Sequence, residues 1–92
     1  MMVIIDPIHM DILRNIFPEI DEEKIEVFTL FAYGMSNKDI SDLKSKTPQA
    51  ISKVLRELCD RFGVSSRDAL KAVYAIRFGL YTHLSFYLTI QE

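Results

Sequence analysis

Apolar residues recur along this chain at helical spacing, in short runs punctuated by helix-start and helix-stop residues. The first run opens at Asp6-Pro7, a side-chain acceptor followed by proline at the position where a helix has no use for an amide proton. Ile8, Ile12, Leu13 and Ile16 then share one face, and the run ends near Phe17-Pro18. A second run starts at Asp21. Ile20 and Ile25 bracket that start as a hydrophobic staple, and Glu22 and Glu23 suit the positive end of the helix dipole. Val27, Phe28, Phe31 and Ala32 extend the stripe until Gly34 stops it. Ser36 caps a third helix, with Asp39 completing an approximate capping box and Ile40 and Leu43 pointing inward. Lys44-Ser45-Lys46 is left as the turn.

Thr47-Pro48 opens a fourth helix by the same chemistry as Asp6-Pro7. Ile51, Leu55, Leu58 and Phe62 repeat along one side of it, and Gly63 ends it. A fifth helix starts at Ser65 or Ser66, carries Ala69, Leu70, Ala72, Val73 and Ile76, and meets Gly79, which is placed as a C-terminal cap. Past Gly79, Leu80, Leu84, Tyr87 and Leu88 fit helical spacing while Leu84, Phe86, Leu88 and Ile90 fit strand alternation, and this tail is read as helix. The pattern predicts an all-α protein: one domain over residues 1–92, with no repeat, low-complexity stretch or dividing linker.

Composition narrows the function classes. A chain of 92 residues, 49% hydrophobic, buries roughly 65% of its unfolded surface and folds alone with little margin. No stretch approaches a membrane span, and Met1 to Ile5 is too short for a signal-peptide core, which predicts a cytoplasmic protein with no membrane partner. Cys59 is the only cysteine and His9 and His83 are isolated, so neither an internal disulfide nor a metal centre is expected. The acids of residues 19 to 26 have no catalytic spacing, no glycine-rich phosphate loop exists, and the chain reads as a non-enzyme without a cofactor. The formal charge is -2, but its distribution is uneven. Met1 to Gly34 carries seven acids against Arg14 and Lys24 (-5), Met35 to Arg77 nine bases against five acids (+4), and Glu92 adds -1. A basic central block beside an acidic third is the pattern of a nucleic-acid face backed by a solvated or regulatory one.

Gly34-Met35-Ser36-Asn37-Lys38-Asp39-Ile40 and Phe62-Gly63-Val64-Ser65-Ser66-Arg67, with Glu26-Val27-Phe28 upstream, carry a family resemblance. Residues 20–76 resemble, without gaps, the LuxR/GerE-type helix-turn-helix of bacterial transcription regulators. The resemblance implies a compact helix-turn-helix bundle of four core helices, the second to fifth. Residues 1–19 would then be an N-terminal helical extension and 80–92 a C-terminal one. It also implies that the helix from Thr47 to Arg61 enters the DNA major groove and that the last core helix pairs two copies. Only nineteen residues precede the motif, so no receiver or ligand-binding domain is read, and the chain is expected to act stand-alone.

Helix geometry selects the groove-facing residues. With Ile51, Leu55 and Leu58 inward, Gln49, Ser52, Lys53 and Arg56 gather on the other side. The family's base-reading positions align with Ser52, Lys53 and Arg56, and an arginine can make a bidentate contact to guanine. Lys38, Lys44, Lys46 and Thr47 are expected to hold phosphates together with amides at the helix start. The chain departs from the family in two places. Ala50, Ser52 and Val54 stand where a Thr, a Lys and a His are common, and Lys44 and Lys46 stand where apolar residues pack between the helices. An unpaired buried lysine is costly, so the turn is expected to expose both lysines or to shift register. Weak binding by one module implies a homodimer on double-stranded DNA, with Leu70, Val73, Tyr74, Tyr81 and Leu84 as interface candidates within a surplus of apolar residues that runs to Leu88. The alternative function is a degenerate helix-turn-helix that antagonises or co-assembles with another regulatory protein.

Overall fold

A computed structural model describes residues 5–91. Five helices follow one another: α1 (Pro7–Ile16), α2 (Glu22–Ala32), α3 (Asn37–Lys44), α4 (Pro48–Phe62) and α5 (Arg67–Gln91), and no strand occurs among the described residues. Local chemistry explains the starts. Asp6, Asp21, Ser36, Thr47 and Ser66 each accept, through a side-chain oxygen, the amide proton three residues on, at 2.9, 2.9, 3.1, 3.0 and 3.0 Å. The stops are equally local. Gly34, Ser45 and Gly63 take positive φ (99°, 55° and 68°). Behind them the amides of Met35, Lys46 and Val64 reach back to the carbonyls of Leu30, Ser41 and Cys59 at 3.1, 2.9 and 3.0 Å. Ser45 is the one non-glycine residue in this group, and its left-handed backbone costs roughly 1–2 kcal/mol relative to glycine.

The helices enclose a core in which Phe17, Ile25, Phe28, Ile40, Leu55, Leu58 and Leu70 have no exposed surface. Its centre is aromatic. Phe17, Phe28 and Tyr74 meet pairwise at ring-centroid distances of 5.1 to 5.2 Å, and Phe62 closes on Phe28 at 5.6 Å. Thr29 Oγ1 lies 2.8 Å from the Ile25 carbonyl and 3.0 Å from the Tyr74 hydroxyl. Since the Thr29 proton goes to the carbonyl, Tyr74 donates to Thr29; burial still pushes the Tyr74 phenol above its ordinary value. Arg77 locks the α1–α2 connection onto α5. It donates to the Ile16 carbonyl at 3.1 Å and to both Glu19 oxygens, and its guanidinium lies over the rings of Phe62 and Phe17.

Several sequence expectations need correction. In α1 the buried face is Met10, Leu13 and Ile16, leaving Ile8 74% and Ile12 38% exposed, because α1 turns toward the helix pair that receives Phe17. Gly79 does not cap α5, which runs through it to Gln91. Tyr81, two residues on, is half-buried against the core, a contact on the far side of Gly79 that offsets the roughly 1 kcal/mol penalty of a helical glycine. Ala72 and Ile76 face solvent, and the tail is helix rather than strand. Its 25 residues extend about 37 Å and set the long axis of a molecule measuring 47 × 31 × 21 Å. No helix among the described residues is long and apolar enough to cross a membrane.

Candidate nucleic-acid interface

α3, a three-residue turn and α4 form the helix pair that the two sequence motifs delimit. α4 divides cleanly. Ile51, Leu55 and Leu58 are buried, and Gln49, Lys53 and Arg56 are exposed on the other side. Lys38, Lys46 and Thr47 are exposed as well, so six of the eight expected DNA-facing side chains open to solvent. Lys38, Lys46, Lys53 and Arg56 make no ion pair with any described residue, which leaves their charge available to a partner. The amides at the start of α4 contribute less than expected. Pro48 has no amide proton, Ala50 N–H bonds Thr47 Oγ1 and Ile51 N–H bonds the Thr47 carbonyl at 3.1 Å, so Gln49 supplies the one spare donor.

Lys44 is the clearest correction. It is 7% exposed and turns away from α4, reaching Glu26 at 2.5 Å and Glu23 at 3.3 Å on α2. Burial acts to lower its pKa, but the Glu26 and Glu23 carboxylates outweigh it and hold the ammonium above its ordinary value. Lys44 is therefore a structural cation and not a phosphate contact. The turn neither exposes both lysines nor shifts register: it exposes Lys46 and buries Lys44 with partners. Arg77 is drawn inward in the same way, and its contact depresses the Glu19 carboxyl below the ordinary value. Two of the nine central cations thus neutralise N-terminal acids, and the acidic third is in part the counter-charge of the basic block.

Ser52 is half-buried, and its oxygen accepts from Asn37 Nδ2 at 2.8 Å. Asn37 Oδ1 in turn accepts from Arg67 Nη1 at 3.2 Å. This chain joins α3, α4 and α5 and links Ser-Asn-Lys physically to Val-Ser-Ser-Arg. Ser52 keeps its own proton to donate, but its place is set by the scaffold. Neither Asn37 nor Arg67 was among the sequence-derived candidates; both lie inside the motifs, where their sequence signal read as capping and packing.

No family model, curated protein or solved structure matches this chain. The functional reading therefore stands on the residues themselves.

The interface candidates on α5 separate into two groups. Leu70 and Tyr74 are 0% and 4% exposed, being spent on the monomer's own core, so they are not available to a second copy. Val73 and Tyr81 are half-buried at the core edge, and only Leu84, 58% exposed, is open. The reason is angular: Leu70, Tyr74 and Tyr81 lie four and seven residues apart on the stripe that faces α2 and α4. Cys59 is packed beside the core, its thiol 3.8 Å from the Ser66 carbonyl. His9 is exposed and paired with the Asp6 cap at 2.8 Å.

Proposed function

We propose that this protein is a DNA-binding transcription regulator of the LuxR/GerE helix-turn-helix type, acting as a homodimer in the cytoplasm without a cofactor. The observation that carries the reading is the outer face of α4. Lys53 and Arg56 stand exposed one turn apart on α4, unpaired among the described residues, and Lys38 and Lys46 are exposed as well. In that role Arg56 and Lys53 read base edges in the major groove, Gln49 and the Ser52 hydroxyl add polar contacts, and Lys38, Lys46 and Thr47 hold phosphates.

Fluorescence anisotropy on a generic duplex tests the electrostatic part. Two phosphate-directed lysines per copy, in two copies, give a slope of log K against log salt near -3.6, roughly 0.9 per neutralised phosphate. Lys53→Glu with Arg56→Ala abolishes operator preference while leaving the fold intact. Absence of duplex binding at low salt would defeat the reading, and unchanged operator binding by the double variant would defeat the site assignment.

The second reading, a helix-turn-helix that antagonises or co-assembles with a related regulator, draws on the apolar outer part of α5. It predicts a stable complex with the partner and no salt-dependent DNA binding.

A further inference from the structure

We propose that the cleft between the end of α2 and the first half of α5 is a binding site for a small planar aromatic carboxylate. No residue of α3 or α4 lines this cleft, so its occupancy is independent of DNA reading.

The site begins with an aromatic side chain that the core leaves open. Tyr33 ends α2 and is 74% exposed, yet its ring meets the buried Tyr74 edge-on at a centroid distance of 6.0 Å. Phe78, one turn further along α5, lies nearly parallel to Tyr74, at 9° and 6.2 Å. These three rings are shared by two open hollows. One, of about 290 Å³, is completed by Ala32, Lys71, Ala75 and Gly79, and the other, of about 250 Å³, by Ile5, Thr29 and residues of α1. Each falls just short of the roughly 300–1,000 Å³ of ordinary small-molecule sites, which limits the occupant to one or two rings. Aromatic walls favour a flat occupant, because its ring can stack offset on Phe78 or meet Tyr33 edge to face.

Charge defines the rest of the ligand. Lys71 stands at the wall of the hollow of about 290 Å³, its ammonium 5.0 Å from the centre of the Phe31 ring and without an ion-pair partner among the described residues. A lysine held over a ring face keeps its other N–H donors for an acceptor. No acid lines this hollow. Three further hollows, around α1, the α1–α2 connection and the C-terminal half of α4, each carry three carboxylates and a net negative charge. An anion is thus held off there and attracted to Lys71. One lysine matches the single charge of a carboxylate, which a phosphate monoester exceeds.

Titration of the full chain with 2-naphthoate, followed by its amide resonances, tests the site. Saturable shifts centred on Tyr33, Lys71, Ala75 and Gly79 are expected, with Kd on the order of 0.1–1 mM for a ligand of this size. Lys71→Gln weakens binding about fivefold, as the loss of one partly exposed ion pair does. The uncharged 2-naphthalenemethanol binds wild type about as weakly as 2-naphthoate binds that variant. Cyclohexanecarboxylate, which carries the charge without the flat ring, also binds about fivefold more weakly. Ala75→Trp, a change at an exposed position, fills the hollow and abolishes the shifts while circular dichroism keeps its helical signal. No saturation at roughly 10 mM 2-naphthoate would overturn the proposal. Equal affinity of wild type and Lys71→Gln, or shifts confined to the exposed apolar residues beyond Gly79, would overturn it too.

Discussion

Lys44→Met separates the structural role of this lysine from a phosphate role. The variant keeps the length of the side chain and removes its charge, leaving Glu26, whose side chain is 19% exposed, facing a thioether. A charge-assisted hydrogen bond of this kind contributes roughly 1.5–3 kcal/mol. Glu23 is 49% exposed, so its longer contact at 3.3 Å adds about 0–1 kcal/mol. Lys44→Met should thus cost about 2 kcal/mol, which lowers Tm by roughly 10 °C in a domain of this size. Glu26→Gln should cost a similar amount, whereas the double variant should cost about 1.5 kcal/mol less than the sum of the two, because each change removes the same bond. Thermal and urea denaturation followed by circular dichroism measures all three. The salt dependence of duplex binding gives the second readout: a phosphate-bound lysine contributes about 0.9 to the slope, a lysine committed to α2 contributes none. Additive single effects, or a slope that falls with Lys44→Met, would refute the assignment of Lys44 to the scaffold.

Asn37→Ala cuts the chain from Arg67 to Ser52 and should cost about 1 kcal/mol, with faster amide hydrogen exchange confined to the first two turns of α4; acceleration spread evenly over all helices would mean that Asn37 contributes only global stability. For Glu19, the folded carboxyl lies below its ordinary 4.5 because Arg77 bonds its charged form, so the stabilisation is present above that value and lost as pH falls through the lower folded pKa. Glu19→Gln should therefore destabilise by about 1 kcal/mol at neutral pH, with the gap to wild type closing as pH falls below the lowered folded pKa, and a gap in urea midpoint that persists in acid would rule out the ionic origin.

The features legible in the sequence are those decided within a few residues. Asp6, Asp21, Ser36 and Thr47 cap the helices they were expected to cap, and Gly34 and Gly63 adopt the left-handed backbone that ends α2 and α4. The buried stripe of α4 was equally plain, since four apolar residues on a 15-residue amphipathic helix admit one orientation. Decisions made at a distance were not legible. Lys44 reads as a turn lysine until Glu23 and Glu26, 21 and 18 positions earlier, are brought beside it. α1 has apolar residues on two faces, and its burial is chosen by where Phe17 must go. Gly79 carries a stop signal that Tyr81 overrides through a contact with the core. The same holds for Leu70 and Tyr74: sequence marks them as apolar, and only packing shows that the monomer has already used them.

Phe17 has no exposed surface and touches Phe28, Phe62 and Tyr74, although it precedes the stretch that resembles a helix-turn-helix. Losing a buried phenylalanine costs about 3–5 kcal/mol, against a total stability of roughly 5–15 kcal/mol for a small domain. The module therefore has no clean seam at residue 20 along which it could be excised, shuffled onto another protein, or expressed as a minimal fragment. Its first helix is inherited together with α2 to α5, and any recombination event that separated them would remove a large share of the stability.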